Sequence, residues 1–157
     1  MRLQIGNGID NYIQQLGNLE FKASDAIGKA IYAGAKIVSD EIKKNINALP
    51  VQDGYHEYVT GIRSIQKKGL IDSFGIASAR NDSGYYNVKA GFDGYNGLKS
   101  KTYPKGQSNA MIARTFEGGN SHTQKHPFVG PAVRASRDRA ERKMAEVLES
   151  EIAKVMK

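Results

Sequence analysis

The sequence contains no cysteine and no tryptophan, and it has only four prolines among its 157 residues. The lack of cysteine excludes disulfides, thiol catalysis, zinc–thiolate sites and iron–sulfur clusters. No stretch approaches the roughly 20 consecutive apolar residues of a transmembrane helix, and the first 20 residues lack the apolar run of a signal peptide. We therefore expect a single domain over residues 1–157, with no contact to a membrane.

The positive charge is concentrated in the middle of the chain, which has a formal net charge of +7. Residues 1–57 carry six Lys or Arg and seven Asp or Glu, a net charge of −1. Residues 58–129 carry ten against four, a net +6, and residues 130–157 carry seven against five, a net +2. A basic middle segment is compatible with an acidic protein partner, with nucleic acid, or with solubility alone.

A long helix is predicted in the first third of the chain. From Ser24 onward, apolar residues recur every three or four positions until Pro50 ends the pattern. Ser24 or Asp25 is expected to cap this helix at its N-terminus. A shorter helix that ends near Gly17 is expected before it, so residues 1–23 are interpreted as an N-terminal helical extension.

A second long helix is predicted from Pro131, as its first residue, to the C-terminus. Four arginines and Lys143 lie between residues 134 and 143, interleaved with Asp138 and Glu141. This mixture of signs is more typical of a solvated helix face than of a helix that reads DNA.

Three short strands are predicted between the long helices. Alternating apolar residues indicate strands at 86–92 and 111–117, and a turn followed by a strand is expected within 70–79. Residues 51–68 have helical spacing that glycines interrupt. The order of elements predicts an α+β fold, with a small, mainly antiparallel sheet packed by the long helix of the N-terminal half and by the C-terminal helix.

A flexible loop is predicted at residues 93–109, because this segment has no apolar period and exceeds the usual length of a connector. It contains Lys99, Lys101 and Lys105 together with Tyr103. These four residues are the candidates for docking a partner, either an acidic protein surface or DNA.

No catalytic, cofactor-binding or metal-binding residue is predicted. His122 and His126 are four residues apart, but Pro127 and the preceding glycines argue against the helix that would bring both imidazoles to one metal. No nucleophile–base arrangement and no glycine-rich phosphate loop occurs. We therefore expect that the protein is not an enzyme and carries no cofactor.

Four short motifs follow one another between residues 24 and 157. They are Asn47-Ala48-Leu49-Pro50, Gly69-Leu70-Ile71-Asp72-Ser73, Phe116-Glu117-Gly118-Gly119 and Pro127-Phe128-Val129-Gly130-Pro131-Ala132. In this order they resemble the neck proteins of long-tailed bacteriophages and their prophage relatives, the head–tail joining or tail-completion proteins.

The resemblance implies a virion structural protein, assembled in the bacterial host cytoplasm, that forms a homo-oligomeric ring and contacts other neck, connector or tail-tube proteins. Contact with DNA in the channel is a further option. The residues that carry the structural motif are Phe116, Glu117, Gly118, Pro127, Phe128 and Pro131. Phe128 is expected to be buried between the two prolines.

Two alternatives to the neck protein stay open at this point. A small basic nucleic-acid-binding protein would explain the net charge, and its affinity would fall steeply with salt concentration. An enzyme would require a convergent pocket that the sequence does not indicate.

Overall fold

The computed structural model describes residues 6–155, with side chains described for 22–84 and 86–155. In chain order its elements are α1 (Gly6–Asn47), α2 (Ser64–Ser73), β1 (Phe74–Ile76), β2 (Arg80–Asp82), β3 (Tyr85–Asn87), β4 (Ala90–Phe92), α3 (Asn109–Gly118) and α4 (Val129–Val155). Helices and short antiparallel strands thus occur together, and the predicted α+β class is confirmed.

The two long helices, α1 and α4, pack against each other in antiparallel directions. At one end, the side-chain amide of Asn45 donates to the backbone oxygen of Phe128 at 3.2 Å. At the other end, Lys29 forms an ion pair with Glu151 at 3.3 Å. These pairs join the end of α1 to the start of α4 and the end of α4 to the first half of α1.

Gly34 lies at a close approach between these two helices. A Cβ atom at this position would come within 2.5 Å of Cγ of Met144. The absence of a side chain at Gly34 therefore leaves room for the Met144 side chain of α4 against α1.

The strands form two separate two-stranded sheets. β1 pairs with β4 in antiparallel register, with Phe74 opposite Phe92, and β2 pairs with β3 as a hairpin. The predicted strand at 86–92 is therefore wrong as a single element. The hydroxyl of Tyr86 in β3 shares a hydrogen bond with the hydroxyl of Ser24 on α1 at 2.8 Å. β4 instead pairs with β1 over the core. The chain therefore turns between β3 and β4.

One hydrophobic core joins α1, α2, α3, β1 and the start of α4. Its buried members are Ile42, Ile46, Leu49, Ile62, Leu70, Phe74, Ile112, Ala113, Phe116, Phe128 and Ala132. Phe128 is completely buried, as predicted, and Phe92 meets its ring edge-on with 6.1 Å between the centroids. Phe92 in turn packs at 4.9 Å against Phe74, which ties the β1–β4 sheet to the core.

The predicted break near Gly17 is wrong, because α1 runs without interruption from residue 6 to residue 47. A glycine inside a helix costs about 1 kcal/mol relative to alanine, which weakens a helix without ending it. Ser24 and Asp25 lie within α1 and are not its cap; Asp25 instead pairs with Lys29 at 3.0 Å. The predicted N-terminal extension falls partly on residues 1–5, which lie outside the described residues.

The predicted strand at 111–117 is also wrong, because these residues belong to helix α3. The buried positions of α3 are Asn109, Ile112, Ala113 and Phe116, at helical spacing along one face. Ser108 caps the helix by accepting from the backbone N–H of Met111. Likewise, residues 70–73 complete α2 instead of forming a turn.

Candidate docking site

Glu117 occupies the N-terminus of α4 from a position eleven or more residues earlier in the chain. Its Oε2 atom accepts from the backbone N–H of Phe128 at 2.7 Å and of Val129 at 2.9 Å, and its Oε1 atom accepts from Gly130 at 2.9 Å. Pro131 follows without an N–H, so every free backbone donor of the first turn is satisfied.

The protonation of Glu117 follows from these contacts. Partial burial raises the pKa of this carboxyl, but the three backbone N–H bonds and the nearby Lys125 outweigh it, so the pKa lies below its ordinary value of 4.5. Glu117 is therefore an anion at neutral pH, in the position where a helix dipole favours negative charge.

Residues 116–131, here called the Glu117 unit, connect α3 to α4. Phe116, at the start of this unit, and Phe128, near its end, are both buried in the core. The backbone N–H of His126 donates to the backbone oxygen of Phe116 at 2.8 Å. α3 ends at Gly118, while Pro127 is exposed. Pro131 is the third residue of α4 and not the first as predicted, because the Glu117 carboxylate allows the helix to begin at Val129.

Residues 93–108, here called the basic loop, are anchored at their base by Asn96, which is 6% exposed. Its Oδ1 atom accepts from the backbone N–H of Leu98 at 2.9 Å and of Gln107 at 3.1 Å. Gly106 has a φ of +95°, and a Cβ atom there would collide with the backbone oxygen of Asn96. The predicted loop thus ends one residue early, at α3, and its base is ordered by polar contacts.

The tip of the basic loop, residues 99–105, carries all four predicted docking residues. Lys99, Lys101 and Lys105 are exposed, and Tyr103 is 38% exposed. No described carboxylate forms an ion pair with any of the three lysines. The flexibility of this tip stays a prediction.

A cavity of about 520 Å³ lies beside the tip, between the basic loop, residues 52–66 and α3; we call it the α3 pocket. Its floor includes the buried side chains of Ile112 and Phe116, and Met111 and Tyr103 lie at its rim. These residues come from distant segments, so no pattern in the sequence indicated the pocket. Ser108, a helix-capping residue before an apolar stripe, was the one signal for its α3 wall.

The backbone that forms one side of the α3 pocket is fixed by bridges to two other segments. Val59 pairs with Thr123, and Ile62 pairs with Val51, both in parallel orientation. Across the pocket, the Gln66 side-chain amide donates to Oε1 of Gln107 at 2.7 Å. This last hydrogen bond connects the base of the basic loop to α2.

The two histidines considered as metal ligands lie in different surroundings. His126 contacts the backbone oxygen of Thr60 through Nε2 at 2.6 Å, whereas the side chain of His122 is exposed. Over the described residues, no three His, Asp or Glu side chains come together in a way that would hold a metal.

Comparison of the chain with protein-family models, with curated proteins and with solved structures gives no match. Across residues 6–155, none of the helices has both the length and the hydropathy needed to cross a membrane.

Proposed function

We propose that the protein is a structural component of a phage or prophage particle at the junction of head and tail, in a head–tail joining or tail-completion role. It acts by assembly, as a ring of identical copies that contacts neighbouring neck, connector or tail-tube proteins. In such a ring, one patch of each copy meets a different patch of the next.

The observation that carries this proposal is where the four family-like motifs lie in the fold. Leu49, Leu70, Phe116 and Phe128 come from one motif each, and all four are buried in the same hydrophobic core. The segments that carry the four motifs therefore pack together around one core. Their meeting supports the interpretation that together they specify one fold.

The exposed tip of the basic loop supports the assembly role. It presents Lys99, Lys101 and Lys105 on a base that is held by hydrogen bonds. Such a surface steers an acidic partner toward it and contributes to the choice of partner.

The proposal is tested in the phage or prophage that encodes the chain. Deletion of the gene should leave heads and tails as separate particles in electron micrographs, and the wild-type gene supplied in trans should restore complete particles. Normal yields of complete, infectious particles after the deletion would overturn the proposal.

A second candidate, nucleic-acid binding, is favoured by the exposed lysines beside Tyr103. It is tested by the salt dependence of binding to double-stranded DNA. A protein that makes several phosphate contacts loses about a thousandfold or more in affinity between 50 and 200 mM salt, whereas a neck protein without DNA contacts should show no measurable complex.

A further inference from the structure

The α3 pocket combines an apolar floor with a largely polar lining that includes one arginine. Ile112 and Phe116 are 5% and 3% exposed at the floor, and Met111 is 37% exposed at the rim. Arg63 and His56 are among the lining residues, and none of the lining residues that the structure describes is Asp or Glu.

The surroundings of the pocket carry unbalanced positive charge. Residues 51–68 and 98–123 together hold seven Lys or Arg against three Asp or Glu, a net charge of +4. Two of the three carboxylates are already engaged: Asp53 accepts from the backbone N–H and hydroxyl of Ser64 at 2.8 and 2.6 Å, and Glu117 accepts from α4. Glu57 is the third.

From this combination we propose that the α3 pocket binds an apolar side chain carried by an extended, acidic segment of a partner protein. The apolar side chain enters between Met111 and the floor. The acidic residues on either side of it lie against Arg63 and the lysines of the loop tip. This inference rests on the proposed function and names the chemistry of the neighbouring ring's surface.

The lining favours a protein segment over a nucleic acid. Among the described residues that line the pocket, Arg63 is the one permanently charged side chain, so a phosphate backbone would find no row of cations there. A buried apolar floor instead fits an aliphatic or aromatic anchor, which is the usual centre of a protein interface.

Two parts of the pocket wall are also held in place before any partner arrives. The bridges of Val59 to Thr123 and of Ile62 to Val51 fix one side, and the Gln66–Gln107 hydrogen bond joins the loop to α2. A pre-formed site loses less conformational entropy on binding, which leaves more of the contact energy for affinity.

The experiment uses the full chain and short synthetic peptides with Asp and Glu flanks around one central Phe, Leu or Met. Backbone amide shifts in NMR spectra report where each peptide binds and how tightly. At least one peptide should shift the amides of residues 111–116 and 98–103. Replacing its central residue with Ser should weaken binding about tenfold or more, because a buried apolar anchor is lost.

Variants of the protein test the two parts of the pocket separately. Met111→Glu should weaken binding about tenfold, because it places a carboxylate at the apolar rim. The matched control is Val133→Glu, since Val133 is 42% exposed on α4, outside the pocket lining.

A triple variant tests the charged part of the site; it combines Lys99→Glu, Lys101→Glu and Lys105→Glu. It should weaken binding more at low salt than at high salt. Its control reverses Lys22, Lys36 and Lys89, which are exposed elsewhere.

Any one of three results would overturn the pocket assignment. The first is that no peptide shifts the amides of the pocket, and the second is that Met111→Glu weakens binding no more than Val133→Glu does. The third is that oligothymidylate displaces the peptide at a lower concentration than the peptide itself needs to bind.

The two proposals fail separately. Peptide binding together with normal particles after gene deletion overturns the neck function alone. Separate heads and tails after deletion, without peptide binding, overturn the pocket alone.

Discussion

The Glu117 unit and the basic loop each lead into a helix through an irregular stretch, residues 119–128 in the first and 93–108 in the second, yet they are held in different ways. The Glu117 unit places two phenylalanines in the core and satisfies the start of α4 with a carboxylate. The basic loop has no large side chain in the core, and Asn96 holds its base through two backbone N–H groups. The comparison indicates that the first segment stabilises the fold, whereas the second displays charge at little expense to it.

The largest effect is expected from Phe128→Ala. Removal of a fully buried phenylalanine should lower the free energy of unfolding by about 3–5 kcal/mol, a large part of the roughly 5–15 kcal/mol of a typical domain. Thermal or urea unfolding measures this loss, and Val133→Ala on exposed α4 surface serves as control. Equal stability of the two variants would contradict the burial of Phe128 in the core.

The next effect is expected from Glu117→Ala, which leaves three backbone N–H groups at the start of α4 without their acceptor. Because hydrogen bonds to charged groups contribute about 1.5–3 kcal/mol, we expect a total loss of about 2–4 kcal/mol. Glu117→Gln should lose less, since one oxygen remains. Glu149→Ala, at an exposed position of α4, is the control in urea unfolding.

The same carboxylate predicts a pH dependence. The pKa of Glu117 is lower in the folded than in the unfolded chain, so its stabilisation is fully present above the ordinary pKa of 4.5 and is lost as the pH falls through the folded value. The stability difference between wild type and Glu117→Gln should therefore shrink below about pH 4.5. A difference that grows in acid would contradict the assignment.

A smaller and more local effect is expected from Asn96→Ala. Loss of the Oδ1 acceptor should lower stability by about 1–3 kcal/mol and accelerate hydrogen exchange of the Leu98 and Gln107 amides. Asn96→Asp retains the Oδ1 acceptor, so exchange of the two amides should stay slower than in Asn96→Ala, but it should still lower stability because it loses the Nδ2 donor to Gln107 and buries a carboxylate. Unchanged exchange in Asn96→Ala would show that the loop base is held by other contacts.

The smallest effect on stability is expected from reversing Lys99, Lys101 and Lys105 to Glu. These side chains are exposed and form no ion pair with described carboxylates, so the melting temperature should change little, within about 0.5 kcal/mol of stability per site. The same variant should leave heads and tails unjoined. Complete particles at normal yield would contradict the proposal that the loop tip docks a partner.

The sequence predicted the parts of the fold that repeat a pattern over many turns. The apolar stripe from Ser24 toward Pro50 and the one after Pro131 correspond to α1 and α4, because each repeats a 3.6-residue period many times. α3 was mistaken for a strand, since ten residues hold too few repeats to separate the two periods. The burial at Asn109, Ile112 and Phe116 shows afterwards which period applied.

Contacts between distant segments were not predictable in the same way. Glu117 contacts α4 across the turn that follows α3, and the α3 pocket joins residues as distant as Gln52 and Thr123. The exposed basic tip was predictable from local composition, because lysine side chains are exposed in almost any fold.

The length of helix α4 also sets the distance between its start and the Lys29–Glu151 pair near its end. Glu151 lies 22 residues after Val129, the first residue of α4, so at about 1.5 Å per residue the Lys29–Glu151 pair lies about 33 Å from the start of this helix. Since the chain has no cysteine of its own, a thiol introduced at exposed Ala153 or at Lys101 would be a unique attachment point for a dye or gold label. Two such labels, compared by fluorescence transfer or by microscopy of assembled particles, would give the direction in which each copy points along the particle axis.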